Sequence, residues 1–111
     1  MPLRSVLQTE KECWAFRELA DMNVVTGLQR HHCFMGPLRD ISEKEGFWVW
    51  LTQLNHTGNN PAENPLGIRG VHFNRELDLT LKMACQKAYE EHHSREQWMK
   101  LIGRNYLQEG Q

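Results

Sequence analysis

The chain has little cysteine: three residues, Cys13, Cys33 and Cys85, with no CxxC spacing among them. An odd count without paired spacing excludes a four-cysteine zinc knuckle and argues against a disulfide framework. The expectation is three reduced thiols in a cytoplasmic protein. An excess of charge of one sign is lacking too. Thirteen Lys and Arg against fourteen Asp and Glu give a net charge of -1. That excludes a protein that coats nucleic acid by bulk charge, while leaving room for a local basic groove. No apolar run approaches the roughly 18 residues that a membrane helix requires. Residues 1–5 lead into the charged Glu10-Lys11-Glu12, so neither a membrane partner nor a signal-peptide core is expected. Internal repeats and low-complexity tracts are absent as well. At 111 residues there is room for one domain with a modest core, for which a bound metal or a homodimer is a natural source of added stability.

What the chain does have is histidine. It carries six, four of them in two adjacent pairs, His31-His32 and His92-His93. Their setting follows from the patterning. Thr9-Glu10-Lys11-Glu12 has capping-box spacing, and Trp14, Phe16, Leu19 and Ala20 follow with helical periodicity. A first helix is therefore expected over residues 10–20, ended by Asp21-Met22-Asn23. Residues 28–34 read as extended chain, with Leu28, Arg30, His32 and Phe34 on one face and Gln29, His31 and Cys33 on the other. Met35-Gly36-Pro37 stops it. A polar connection through residues 42–46 leads to Phe47-Trp48-Val49-Trp50-Leu51, aromatic and β-branched, a second strand. The two strands are expected to pair as an antiparallel hairpin with a long loop.

Residues 52–60 suit one helical turn or a short helix. Residues 61–70, with two prolines and two glycines, suit a loop. From Asn74 the pattern is plain: a cap residue, acids at Glu76 and Asp78, and a stripe of Leu77, Leu81, Ala84, Cys85, Ala88 and Tyr89. That helix should end near His92-His93, a solvated terminus. Ser94-Arg95-Glu96-Gln97 is a capping box for a last helix with Trp98, Leu101 and Ile102 inward, closed by Gly103. The fold class is α+β, a small antiparallel sheet with a mostly helical core.

A strand carrying His31 and His32 sends the two rings to opposite faces unless a bulge intervenes. His56 follows the second strand by a few residues, and a helix packed across the hairpin can bring it near His31. Two neutral imidazoles at one point suit a divalent first-row metal, and an imidazole beside them suits a general base.

The segments Leu28-Gln29-Arg30-His31-His32-Cys33-Phe34, Arg39 with Ser42-Glu43-Lys44, residues 47–56, Gly70-Val71-His72-Phe73-Asn74-Arg75-Glu76-Leu77-Asp78 and Gly103-Arg104-Asn105-Tyr106-Leu107 occur in order. Together they resemble the HNH endonuclease superfamily, also called ββα-metal or His-Me finger. More narrowly they resemble a group of small phage and prophage HNH-like proteins, here without the zinc knuckle. The resemblance implies one HNH-like domain over 1–111: an N-terminal helix and extension (1–27), a ββα core (28–60), an inserted loop (61–70) and C-terminal helices (74–107). It implies hydrolysis of DNA phosphodiester bonds with one divalent metal ion (Mg, Mn, Ni or Zn) in the host cytoplasm. His32 would be the general base and His31 and His56 metal ligands. His72, in preference to Asn60, would complete the coordination, and Arg39 and then Arg30 would contact DNA phosphates. Glu45-Gly46-Phe47 stands where the family has its middle Asn. A second class therefore stays open: an HNH-like phage protein without turnover that binds nucleic acid or inhibits a host defence protein such as a CRISPR effector. A helical dimer with incidental histidines is a third.

Overall fold

Two short strands form the sheet of an α+β fold. β1 (Leu28–His32) pairs antiparallel with β2 (Trp48–Thr52), Leu28 opposite Thr52 and His32 opposite Trp48. The structure is a computed structural model and describes residues 4–107. Helices α1 (Trp14–Ala20), α2 (Arg39–Glu45), α3 (Gln53–His56), α4 (Arg75–Glu90) and α5 (Arg95–Leu101) surround the hairpin. Single 3-10 turns lie at Gly36–Leu38, Pro61–Glu63 and Val71–Phe73. No helix among the described residues is long and apolar enough to cross a membrane.

The first helix begins later than its sequence pattern suggests. Residues 6–13 run along the outer edge of β2 and the turn before it instead. Val6 N–H donates to Gly46 O at 2.9 Å, Gln8 Oε1 accepts from Trp50 N–H at 2.8 Å, and Cys13 Sγ accepts from Thr52 N–H at 3.4 Å. An uncovered edge would leave those strand groups unpaired, and this arm satisfies them. The expected capping box does not form, because Glu12 is engaged by the Arg17 guanidinium at 2.9 Å. α1 starts from Cys13 with no side-chain cap and ends at Asp21 in the left-handed region, φ 51°.

The polar connection between the strands is a helix rather than a loop. Inside α2, Ser42 is fully buried and its hydroxyl both donates to Phe34 O (2.9 Å) and accepts from Phe34 N–H (3.0 Å). One polar side chain thereby fastens the helix to the end of β1, so the helix needs no long apolar stripe.

The C-terminal helices follow the pattern closely. Asn74 Oδ1 accepts from Leu77 N–H at 3.0 Å, and Ser94 and Gln97 form the reciprocal capping box. Leu77, Leu81 and Cys85 are buried, and Trp98 is fully enclosed with its indole N–H on Arg104 O at 2.7 Å. Phe34, Phe47, Tyr89, Trp98 and Tyr106 make an aromatic core with ring centroids 5.5–6.1 Å apart. Gln86, polar and off the expected stripe, is also buried. It accepts from Tyr106 N–H and donates to Glu90 and Asn105, at 2.7–2.8 Å, clamping the C-terminal segment onto α4.

Candidate metal centre

The alternation along β1 sorts its side chains as the pattern requires. Arg30 and His32 both reach Glu43 of α2, whereas Gln29 and His31 turn to the other face, toward α3. α3 follows β2 without a linker, so its last residue, His56, returns over the start of β1. Asn55, fully buried, anchors that turn. Its amide donates to Thr52 Oγ1 at 3.1 Å, and its Oδ1 accepts from Asn64 at 2.7 Å.

The third histidine arrives by a close backbone crossing. Gly70 N–H donates to Gly58 O at 2.7 Å. A Cβ on Gly70 would lie 2.8 Å from the carbonyl carbon and oxygen of His56. Only glycine lets the chain pass there. Val71 then buries itself as an anchor, and the 3-10 turn swings His72 back to His56.

The result is a triad of imidazoles from three separate segments. Ring centroids are 5.2 Å apart for His31 and His56, 5.5 Å for His31 and His72, and 4.7 Å for His56 and His72. One ring nitrogen from each lies within 4.8 Å of the others, close enough to share an ion. The Nε2 atoms of His56 and His72 are 3.1 Å apart. Two nitrogens each about 2.1 Å from one ion sit roughly 3.0 Å apart in octahedral and about 3.4 Å apart in tetrahedral geometry, which brackets this spacing.

His56 Nδ1 meets Gln29 Oε1 at 2.7 Å. The amide oxygen can only accept, so Nδ1 carries the proton and the Nε2 lone pair faces the triad. An orienting partner of this kind is what ligating histidines characteristically have. His31 is 4% exposed, and neither of its ring nitrogens has a hydrogen-bond partner. A buried imidazole left unpaired is unfavourable, and an ion would satisfy it. Burial, with His56 and His72 adding repulsion, pushes its pKa down to about 3. Burial and then His72 lower that of His56 as well. His31 and His56 therefore present neutral nitrogen donors at neutral pH, the form that binds metal.

The other expected site residues lie elsewhere. His32 is across the sheet, its Nε2 3.0 Å from Glu43 Oε2. That hydrogen bond is the main cause holding the Glu43 carboxyl below its ordinary range, with Arg30 adding to it. Arg30 donates to Glu43 at 2.7 Å and covers the Trp48 ring at 3.9 Å, so its charge is already answered. Asn60 Oδ1 caps the turn at Pro61–Glu63 by accepting from Ala62 N–H at 3.1 Å. Arg39 is exposed at the first residue of α2. His93 stacks on Tyr89 at 4.1 Å, outside the triad. Sequence reasoning missed Gln29, Asn55, Asn64 and the crossing at Gly70; the only local hint was the placement of Gln29 on the same strand face as His31.

No family model, curated protein or solved structure matches the chain.

Proposed function

We propose that the protein is a single-metal DNA endonuclease of the HNH, ββα-metal type, with His31, His56 and His72 holding one divalent ion. The observation that supports this best is the convergence of the three imidazoles from strand β1, short helix α3 and the 3-10 turn at Val71–Phe73, with a buried His31 that has no partner of its own. Imidazole donors suit Zn and Ni better than Mg, which prefers oxygen ligands. A bound ion supplies Lewis acidity toward a phosphodiester oxygen and toward water. Gln29 holds the His56 tautomer, and the Gly70 crossing keeps His72 against His56.

In this proposal His32 acts as general base only by bringing its ring to the metal side of the sheet. Its bond to Glu43 favours a second reading, a metal-stabilised HNH-like protein that binds DNA or a host defence protein without turnover. Nicking of supercoiled plasmid in Mg²⁺, Mn²⁺, Ni²⁺ or Zn²⁺ separates the two. The nuclease reading expects cleavage that His56→Ala and His72→Ala abolish. A base at His32 adds a loss of roughly 10²- to 10⁴-fold in His32→Ala, with the circular dichroism spectrum unchanged. A wild type that binds Co²⁺ yet nicks nothing in any of these ions selects the second reading.

A further inference from the structure

A cleft of about 470 Å³ opens beside the triad, with His31, Met35, His72, Phe73, Arg75 and Asp78 in its wall. Its wall includes the His31 ring, whose two buried nitrogens the chain itself leaves without a partner. Arg75, exposed at the first residue of α4, has no side-chain partner among the described residues. The acid in the same wall, Asp78, is answered by Lys82 at 2.9 Å, so it does not cancel the charge of Arg75. The backbone adds donors. Asn74 serves Leu77 N–H through its side chain and Asp78 N–H through its carbonyl, which leaves the N–H groups of Arg75 and Glu76 without a helical acceptor. Beside these donors stands Phe73, 53% exposed. It is the only aromatic among the exposed large hydrophobic residues described, and Met35, 51% exposed, shares its wall.

We infer that this cleft is a subsite for one nucleotide unit of a single strand. Arg75 and the start of α4 take the phosphate next to the triad, and Phe73 stacks the base. The inference rests on the reading of the triad as a nuclease metal centre and adds the substrate class to it. A paired base has both faces covered by its neighbours in the stack, so only an unpaired one can lie on Phe73. The substrate is then a strand, or a locally opened duplex, with a free base at the reacting phosphate.

Fluorescence anisotropy at low salt tests this with a short labelled thymidine strand and a blunt duplex of the same length, both in EDTA so that no metal takes part. The expected result is single-strand binding at least about tenfold tighter than duplex binding. Phe73→Ala should weaken it about tenfold, Phe73→Trp should retain it, and Arg75→Gln should weaken it and flatten the salt dependence by roughly one phosphate contact. Lys100→Gln on α5 should change nothing. Phe73 and Arg75 are exposed, so neither substitution removes core packing. Equal affinity for the duplex, no binding by wild type, or indifference to both Phe73→Ala and Arg75→Gln would overturn the subsite. A Co²⁺ absorbance titration of the same proteins keeps the two ideas apart. Co²⁺ bound equally by wild type and both variants leaves the triad standing whatever the oligonucleotides do, and no Co²⁺ bound by wild type overturns both.

Discussion

Replacing His31 with leucine separates two effects that the wild-type residue combines. The imidazole is buried with both nitrogens unpaired, so His31→Leu should leave the metal-free protein as stable or more stable, by about 1–3 kcal/mol. The same change should abolish Zn²⁺ binding. Urea unfolding in EDTA and calorimetric titration with Zn²⁺ measure the two, and a clear destabilisation of the metal-free form would mean that the ring is packed for structure alone. Gln29 makes the complementary prediction. Without its oxygen 2.7 Å from His56 Nδ1, the imidazole loses its fixed tautomer, and Gln29→Ala should lower Zn²⁺ affinity about 10- to 100-fold with little change in stability.

At the scale of elements, the site depends on where chain segments cross. Gly70→Ala puts a methyl 2.8 Å from the His56 carbonyl, which forces the strand of chain before Val71 away from α3. The expected outcome is a loss of about 1–3 kcal/mol in stability together with at least tenfold weaker metal binding, read by thermal melts and Co²⁺ absorbance. Unaltered metal affinity would show that His72 is not held by this crossing. Elements whose signals are local were legible beforehand: the caps at Asn74 and Ser94 act within three residues, and the apolar stripe from Leu77 to Tyr89 runs through most of the 16-residue α4. α2 was not, because its fully buried residue is a serine whose hydroxyl bonds Phe34, with Ile41 only partly buried beside it, rather than a period of apolar residues. The late start of α1 was not either, since Gln8 and Cys13 are committed to β2, more than 35 residues away in sequence.

For the whole molecule, the depressed histidines set a sign for the pH dependence. The folded pKa of His31, about 3, and that of His56 lie below their ordinary value of 6.5. The unfolded chain therefore takes up protons first as the pH falls. Stability of the metal-free protein is fully present above about pH 6.5 and is lost progressively toward pH 3. Glu43 and Glu90, held low by His32 and by Arg95, act in the same direction below their ordinary 4.5. Melting temperatures from pH 8 to pH 4 in EDTA should fall, with a shallower slope in His31→Leu. Zn²⁺ should raise the melting temperature strongly at pH 7.5, and the gain should shrink only as the pH falls toward the folded pKa of His31, about 3, where protons compete for that nitrogen.

Sequence alone determined the α+β class, the hairpin, the long capped helix and the pairing of His31 with His56, because each depends on alternation, periodicity or a short connection. The two faces of β1 followed from the strand's period of two. Tertiary structure decided the rest of the site. His72 joined the triad through a glycine crossing, Gln29 became its orienting partner, and His32 was drawn to Glu43 on the other side. Those outcomes depend on contacts between segments 11–27 residues apart in sequence, where side-chain identity sets what is allowed and only packing sets which partner is met.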